Sequence, residues 1–340
     1  MNNQWRQFLD SQPATGDPGR AGSPGPEPEC SIMALSQFGL ILATGDDADK
    51  FIQGQFTNDI REVDDSRFQM NSYCTPKGRM LANFLVLRHE EGLLLQMPLE
   101  THELLMKQLP KFVLMSKVRI EDATDNLVCM GLAGPDAESV IRRHVKALPD
   151  EPGRLVREGG IILLRMPGEM PRFELLGDVD EVIRLWKAIS PEAAVAKSNY
   201  WSLLDIRAGI PTIYQSTSET FIPQMTNMQL IDGVSFIKGC YTGQEVVARM
   251  RYLGKLKRRM YLARVDTDSC PEPGAELFSD ASASGQGTGK VVDAKPSPNG
   301  GCELLSVLEI TAFEQDNVHL ESPSGPKLQF QPLPYAFEQE

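Results

Sequence analysis

The feature that most restricts the fold is an order of elements that occurs twice: short β-prone segments followed by one segment with helical spacing. The strands are predicted at 68–74, 80–88, 93–97, 161–166 and 172–176, and the helices at 100–109 and 179–189. Two such sets predict mixed α+β layers rather than a doubly wound parallel sheet. No G-x-G-x-x-G or P-loop sequence is present, so a nucleotide-binding fold is not indicated.

The two ends of the chain differ from this α+β region. Residues 11–29 hold five prolines and four glycines and little that is apolar, so we predict a disordered lead-in for 1–30, with one short helical turn at 1–9. After Lys257 the chain consists of short β-prone segments separated by Pro, Gly and Ser turns, at 259–265, 287–294, 303–310, 318–320 and 327–331. This pattern predicts a small β-barrel domain over 256–340.

One stretch, K-G-C-Y-T-G-Q-E at 238–245, carries the strongest indication of chemistry. Thr242 precedes Glu245 by three residues, which is the spacing of a capping box. A helix is therefore predicted to extend over 243–253 and to stop at Gly254. Cys240 then lies just before the positive end of the helix dipole.

Cys240 is the best candidate for a reactive thiol. Lys238 lies two residues before it, and a nearby ammonium group and a helix N-terminus both favour the nucleophilic thiolate form. The alternative is a buried cysteine that fills a small apolar gap.

Composition limits the class of protein. The 340 residues suggest two or three domains, and contents of 41% apolar and 24% charged residues are typical of a globular protein. No apolar run is long enough to span a bilayer and no secretory signal is recognisable, so we expect a cytoplasmic protein without membrane association. The six cysteines and four histidines are scattered, which indicates neither a disulfide framework nor a metal site.

The stretch from Lys238 to Arg249, together with F-I-P-Q-M-T-N at 221–227, resembles the YgfZ family. These are folate-binding proteins related in fold to the T-protein (aminomethyltransferase) of the glycine cleavage system. The resemblance covers about Ile32 to Tyr335. It implies a multi-lobed α+β fold with a folate-binding region at 31–255 and the C-terminal β-barrel. We expect the two lobes of that region at 31–122 with 199–255, and at 123–198.

The resemblance also implies a function. Proteins of this family support the assembly or repair of iron–sulfur clusters in client enzymes, with an indirect link to tRNA modification. The expected cofactor is folate, as tetrahydrofolate or a one-carbon derivative, and the expected partners are iron–sulfur client proteins or assembly factors. Cys240 is the expected reactive group, supported by Lys238, Tyr241, Gln244 and Glu245. The expected folate-binding residues are Phe38, Thr57, Asn58, Asp59, Trp201, Gln224, Asn227 and Arg249.

Two positions depart from the related proteins. Aminomethyltransferases carry an acidic pair where this chain has Ala82-Asn83, so we do not expect a conventional aminomethyl transfer. Related proteins also commonly have a glutamate at the position of Arg207, and arginine is only a donor where a carboxylate would accept hydrogen bonds from a pterin. Asp205 is two residues away and is expected on a different face of the helix.

A basic segment stands out on a chain with a net charge of −12. It holds six cations and no acid: Arg249, Arg251, Lys255, Lys257, Arg258 and Arg259. The segment indicates an anion site, either for a phosphate backbone or for the carboxylates of a folate polyglutamate tail. The alternative is a solvated helix end whose cations complement the carbonyl pole.

Two further functions remain open from the sequence. One is a folate-dependent one-carbon transferase in which another acid, Asp59, replaces the missing pair. The other is an RNA-modification partner that binds RNA through the basic segment, and salt dependence of binding would distinguish it.

Overall fold

The structure is a computed structural model that describes residues 1–12, 27–90, 92–252, 254–280 and 287–337. The strands of these residues are β1 Ser31–Ala34, β2 Phe38–Thr44, β3 Gln69–Cys74, β4 Met80–His89, β5 Gly92–Pro98, β6 Arg119–Asp122, β7 Val128–Ala133, β8 Leu155–Glu158, β9 Ile161–Arg165, β10 Arg172–Gly177, β11 Ala194–Ala196, β12 Arg258–Val265, β13 Glu276–Phe278, β14 Gly289–Pro296, β15 Cys302–Glu309, β16 His319–Leu320 and β17 Leu328–Gln331. The helices are α1 Asn3–Asp10, α2 Ala48–Gln53, α3 Leu99–Gln108, α4 Ala137–Ile141, α5 Val179–Ile189, α6 Ser198–Arg207, α7 Gln244–Tyr252 and α8 Ile310–Glu314.

The first lobe is an antiparallel sheet in the order β3-β4-β5-β2-β6, with α2 and α3 packed on it. Successive side chains of a strand point to opposite faces, and β4 therefore contributes to two cores. Leu85 and Leu87 enter a central core shared with the second lobe, whereas Phe84 and Val86 enter the core that includes residues of α2 and α3. Both faces of the central strands are thus buried, which explains their almost continuous apolar sequence.

The second lobe is a sheet in the order β11-β1-β7-β10-β9-β8. Strand β1 pairs in parallel with β11 and antiparallel with β7, so residues 31–34 belong to this lobe. We had predicted that they belong to the first lobe. The predicted N-terminal helix forms as α1, but it is not part of a disordered lead-in. Trp5 is buried, with its ring centroid 5.6 Å from that of Trp186 in α5. Residues 13–26 of the predicted lead-in lie outside the described residues.

The C-terminal lobe is a sheet in the order β16-β13-β14-β15-β12-β17 that curls into a half-barrel. Backbone hydrogen bonds between Leu320 N and Pro326 O and between Leu328 N and Val318 O, both 2.9 Å, bring its two edges together. The predicted α+β architecture with a C-terminal barrel-like lobe is confirmed. Strand β13 was not predicted, nor was the disulfide between Cys270 and Cys302, whose Cα atoms are 5.5 Å apart.

Helix α6 joins the three lobes because its apolar side chains extend over more than one face and enter different cores. Trp201 and Leu204 enter the core between the first two lobes, while Ile206 enters a core shared with the C-terminal sheet. The helix is followed by Gly209 at φ +67°, where an added Cβ would lie 2.6 Å from the ring of Tyr335. The hydroxyl group of Tyr335 donates to Gly209 O at 2.8 Å, so the end of the chain is fixed against the end of the central helix.

Candidate functional site

Three adjoining cavities form a channel beside helix α6. We call them the wide cavity (about 840 Å³), the waist (about 50 Å³) and the side cavity (about 370 Å³). The waist has lining residues in common with both of the other cavities. It shares Met70, Leu85, Met166 and Ile210 with the wide cavity. It shares Phe38, Pro98, Asp205 and Thr212 with the side cavity. All three lobes contribute to the channel, which is therefore a product of the whole fold.

Trp201 forms part of the wall of the waist and is itself fully buried. Its indole ring packs against β7 at Gly131, where an added Cβ would lie 2.6 Å from the ring. On another side, the guanidinium carbon of Arg172 lies 5.2 Å from the ring centroid. The ring is thus held rigidly between a glycine and a cation, and it contributes an aromatic wall to the waist.

Glu174 on β10 also lines the waist, and sequence reasoning missed it. The side chain is fully buried, and Oε1 accepts a hydrogen bond from Gln96 Nε2. Its second oxygen, Oε2, has no hydrogen-bond partner among the described residues. Burial raises the pKa of this carboxyl group to about 8. The signal in the sequence is a single acid within the apolar strand 172–176.

Asp205 faces the channel, since it lines both the waist and the side cavity. The sequence placed Asp205 and Arg207 on different faces of the helix, and of the two only Asp205 lines these cavities. Its carboxylate lies 2.8 Å from Arg172 Nη1, and the pKa of Asp205 is raised because burial outweighs this pairing. The waist therefore holds two carboxyl groups, of which Asp205 has a cation beside it.

Arg207 does not line any of the three cavities. Its guanidinium group makes two hydrogen bonds of 2.8 Å to the carboxylate of Glu303 on β15, and a third of 2.8 Å to Glu27. The residue thus ties the central helix to the C-terminal lobe. The expected conflict between Arg207 and a pterin does not arise at the waist, because the side chain is held elsewhere.

Phe38, which was predicted to bind folate, and Asn83 both lie in the wall of the waist. Asn83 is engaged by the protein itself, because its Nδ2 donates to Pro211 O at 2.7 Å and its Oδ1 accepts from Ile213 N at 2.8 Å. It holds the segment after α6 in place. Phe38 is half-buried and borders the side cavity as well.

Thr57, Asn58 and Asp59 are buried but do not line the three cavities. Thr57 Oγ1 donates to Gly233 O at 2.8 Å, and Asn58 Nδ2 donates to Met70 O and Asp232 O at 3.1 and 2.6 Å. Met70 and Asp232 belong to the wall of the wide cavity. Thr57 and Asn58 therefore support the wall of the wide cavity from outside the cavity.

Asp59 is engaged by Arg61, whose Nε donates to its carboxylate at 2.9 Å. That hydrogen bond lowers the pKa of Asp59 to about 2. The carboxylate is thus ionised at neutral pH and occupied away from the channel.

Lys238 is a buried residue whose ammonium group connects two of the sequence motifs. Its Nζ donates to the carbonyl oxygens of Gln53, Phe56 and Asn58 at 2.8, 2.7 and 2.7 Å. Burial lowers the pKa of Lys238 to about 8. All three ammonium donors are used by carbonyl groups of the segment 53–58, and the favourable effect of this lysine on the Cys240 thiolate stays a prediction.

Cys240 is exposed, in the loop between Lys238 and α7. Tyr241 is buried beside the ammonium of Lys238, which lies 5.2 Å from its ring centroid. Helix α7 begins at Gln244, one residue later than predicted, and Gln244 Nε2 donates to Lys238 O at 3.5 Å. Glu245 is exposed and lies 3.5 Å from Arg249. The loop is thus fixed at Lys238 and at Tyr241. Cys240 lies between these two residues and exposes its thiol shortly before α7 begins.

The other free thiols are less suited to reaction. Cys30, Cys74 and Cys129 are buried, and burial raises the pKa of Cys30 to about 11 and that of Cys74 to about 12. The pKa of Cys129 is also raised well above its ordinary value by burial. Among the free cysteines of the described residues, Cys240 alone is exposed.

A fourth cavity, the basic cleft, has a volume of about 360 Å³ and adjoins the wide cavity at Leu230. It is lined by Gln224, Gln229, Leu230, Met250, Arg251, Gly254, Lys255, Leu256, Arg259 and Phe337. Of the residues predicted to bind folate, Gln224 lines this cleft, whereas Arg249 does not line this or the other three cavities. Asn227 is buried and adopts φ +58°. Its Nδ2 donates to Met260 O at 2.9 Å, so the side chain connects its own segment to β12.

The described part of the chain contains neither a membrane-spanning helix nor a metal-binding cluster of side chains. No helix there is long and apolar enough to cross a membrane. No group of three or more His, Cys, Asp or Glu side chains there is placed to hold a metal ion.

Comparisons with known proteins identify relatives in sequence and in fold. The model of the GCVT N-terminal domain matches residues 27–151. The chain is 34% identical over 310 residues to "tRNA-modifying protein YgfZ" of Klebsiella pneumoniae (strain 342), a match that covers 91% of this chain and 94% of that protein. It is 33% identical over 309 residues, with the same coverage, to the protein of that name from Enterobacter sp. (strain 638).

A solved structure shows the same fold. The glycine cleavage system aminomethyltransferase T from Bartonella henselae superposes with a TM-score of 0.69, over 97% of this chain and 89% of that one. The two sequences are 14% identical, so the similarity concerns the fold.

Proposed function

The chain belongs to the YgfZ family, and from this premise we propose that it binds a folate in the central channel and supports the assembly or repair of iron–sulfur clusters in client enzymes. Its clients include enzymes that modify tRNA, it acts in the cytoplasm, and Cys240 is its reactive group. The names of the relatives support the connection to tRNA modification.

The single observation that carries the folate proposal is the waist. Glu174 Oε2 is buried there without a hydrogen-bond partner among the described residues. A buried oxygen of this kind is satisfied by an N–H donor, and the aminopyrimidine edge of a pterin supplies such donors. Trp201 and Phe38 supply aromatic walls for a flat ring. The residues present thus fit the pterin of a folate.

A bound folate supplies a carrier for one-carbon units. The residues of the chain orient and enclose it: Glu174 accepts a hydrogen bond from the ring, Asp205 holds Arg172 against Trp201, and Asn83 keeps the wall after α6 in place. A hydrogen bond from an N–H donor to the ionised carboxylate of Glu174 would lower its pKa from about 8 toward the ordinary range.

The proposal for Cys240 rests on its exposure and its surroundings. The loop also exposes Ile237, by 89%, and the facing helix α7 exposes Tyr252, by 66%. An exposed thiol accompanied by exposed side chains such as Ile237 and Tyr252 suits contact with another protein. In this function the thiolate engages sulfur or iron at a client, and Lys238 fixes the loop that presents it.

The experiment is complementation of cells that lack the protein. Iron–sulfur enzyme activity is measured after rescue with the wild type, with Cys240→Ala and with Cys74→Ala, a buried-thiol control, at equal protein levels. We expect rescue by the wild type and by the control but not by Cys240→Ala. Equal rescue by all three would show that the thiol has no role.

A one-carbon transferase that uses Asp59 is the less favoured alternative. Asp59 does not line the channel cavities, and Arg61 holds its carboxylate. The test is tetrahydrofolate-dependent release of one-carbon units. If the wild type releases them and a folded Asp59→Asn variant does not, the transferase becomes the preferred function.

A further inference from the structure

The disulfide between Cys270 and Cys302 joins a surface loop to a central strand. Cys302 is the first residue of β15 and is 2% exposed. Cys270 is half-buried and lies in the loop 266–275, between β12 and β13. An attacking thiolate therefore reaches the sulfur of Cys270 more easily than that of Cys302.

The C-terminal lobe does not depend on this bond for its fold. Strand β15 pairs with β12 along its whole length, with Cys302 opposite Val265, and it pairs with β14 on its other side, with Cys302 opposite Pro296. Neither ladder of backbone hydrogen bonds includes the sulfur atoms. The reduced chain is therefore expected to keep the folded lobe, so that the bond can open and close again.

The loop, in contrast, has few other attachments. Among the described residues, the backbone N–H groups of 267–273 donate no hydrogen bond to another element. Asp266 is held at one end by Arg264 and Gln329, both at 3.3 Å, and Gly274 N donates to Val291 O at 2.9 Å at the other. Between these ends the disulfide holds the loop on the lobe, together with the packing of the buried Pro271.

This loop is part of the wall of the side cavity. Glu272 and Pro273 line that cavity together with Ser202 of α6. Gly274 adjoins the segment after α6, since an added Cβ would lie 3.7 Å from Ser216 O, and Ser216 lines the cavity as well. Because the side cavity continues into the waist, a displaced loop would give access to the waist from this side.

The charges in the side cavity favour displacement of a loop that is not tethered. Glu272 shares the lining with two further acids, Glu100 and Asp205. The lining cation Lys295 is paired with Asp293 on its own strand. In a cavity of about 370 Å³ the separations of charges are comparable with the Debye length of about 10 Å. Repulsion among the acids therefore acts against the closed position of Glu272.

The redox environment makes this bond unusual. Cys240 is a free and exposed thiol in the same chain. In the cytoplasm, the location that belongs to the proposed function, thiols are kept reduced, and the disulfides that do form there are usually transient, catalytic or redox-sensing. A bond that is accessible through Cys270 and dispensable for the fold suits that behaviour.

We propose that Cys270 and Cys302 form a reversible redox site: a peroxide forms the bond and closes the side cavity, and a dithiol reductant breaks the bond and opens it. This inference goes beyond the proposed function and takes only the cytoplasmic location from it.

The two directions of the reaction balance as follows. Peroxide oxidises the Cys270 thiol to a sulfenic acid and releases one water, after which the Cys302 thiolate attacks that sulfur and a second water leaves. In the reverse direction a thiolate of the reductant attacks Sγ of Cys270, and Cys302 leaves as a thiolate. The second thiol of the reductant then displaces Cys270, and the reductant ends as a disulfide.

The redox state is tested on the full chain in cells. Growing cells are quenched in acid before and after a pulse of hydrogen peroxide, free thiols are labelled with a maleimide, and the peptides are quantified by mass spectrometry. We expect the pair to be mostly reduced before the pulse, mostly disulfide after it and reduced again on recovery. Cys74, a buried free thiol, serves as the internal control and should not change. A pair that is oxidised throughout is a structural disulfide, and a pair that stays reduced is not a redox site; either result overturns the inference.

The effect on the loop is tested by hydrogen exchange of the purified chain. Reduction, or Cys270→Ala, is expected to accelerate exchange of the Gly274 and Ala275 amides about tenfold, because the loop that they anchor is released. Cys30→Ala removes a buried thiol outside the bond and should leave this exchange unchanged. Exchange within β15 should also stay the same. Loss of protection throughout β15 would show that the bond holds the lobe itself, which contradicts the inference.

Opening of the cavity is measured with a thiol placed in its wall. Ser202→Cys is combined with the intact disulfide, with Cys270→Ala or with Cys30→Ala, and the rate of maleimide addition at position 202 is followed by peptide mapping. We expect about tenfold faster addition with Cys270→Ala only. Equal rates in all three would show that the loop does not close the cavity. None of these measurements uses folate or an iron–sulfur client, so a negative result leaves the proposed function standing.

Discussion

Replacement of Lys238 by methionine removes the three hydrogen bonds that attach the Cys240 loop to the segment 53–58. The carbonyl oxygens of Gln53, Phe56 and Asn58 then lose the donor that lies 2.7–2.8 Å away in the wild type. A buried acceptor without a donor costs about 1–3 kcal/mol. We use the low end, because the ammonium group itself is costly to bury, as its lowered pKa of about 8 indicates. The free energy of unfolding is therefore expected to fall by about 3 kcal/mol.

The assay is urea denaturation of Lys238→Met beside Lys50→Met, which replaces an exposed lysine of α2 and is expected to change stability by less than about 0.5 kcal/mol. Hydrogen exchange of residues 235–243 provides a local measurement, since faster exchange there is expected only in the first variant. If Lys238→Met is as stable as Lys50→Met and exchange is unchanged, the three bonds do not hold the loop and the assignment of Lys238 as its anchor is wrong.

Two further predictions concern Glu174 in the wall of the waist and Arg207 outside the channel. Burial raises the pKa of Glu174 to about 8 in the folded chain, so the folded state binds more protons than the unfolded state between about pH 4.5 and 8. The resulting stability is present below that range and is lost as pH rises through it, and Glu174→Gln is expected to flatten the stability profile measured by urea denaturation. An unchanged profile would contradict the raised pKa. Arg207→Met leaves Glu303 without its ion pair, so stability is expected to fall by about 3 kcal/mol, whereas folate affinity measured by calorimetry should stay within about twofold. A large loss of folate affinity in the folded variant would place Arg207 at the ligand site.

The sequence predicted the elements of the fold well where the apolar pattern was local. The strands predicted at 68–74 and 80–88, the helix predicted at 179–189 and the C-terminal β-lobe formed close to the predicted bounds. Lobe membership was harder, because the pairing of β1 with β11 joins residues about 160 positions apart and is not encoded in either segment alone. The burial of Trp5 likewise depends on α5, far along the chain.

The candidate site was predicted in part. Motif resemblance pointed to Trp201 and Phe38, which line the waist, and to Cys240, which is exposed. It did not point to Glu174, because one acid in an apolar strand gives no spacing pattern until the strand is placed beside α6. The three carbonyl groups that Lys238 binds could not be predicted, because they belong to the segment 53–58, about 180 positions earlier in the chain.

The most direct test of the central claim is calorimetric titration of tetrahydrofolate into the wild type and into Glu174→Leu. The account predicts binding by the wild type and a dissociation constant about 30-fold weaker in the variant, which corresponds to about 2 kcal/mol for a hydrogen bond to a charged group. Glu103→Leu, at an exposed position of α3, serves as the control and should bind as the wild type does. Equal affinity of wild type and Glu174→Leu, with both proteins folded, would contradict the assignment of the waist as the pterin site.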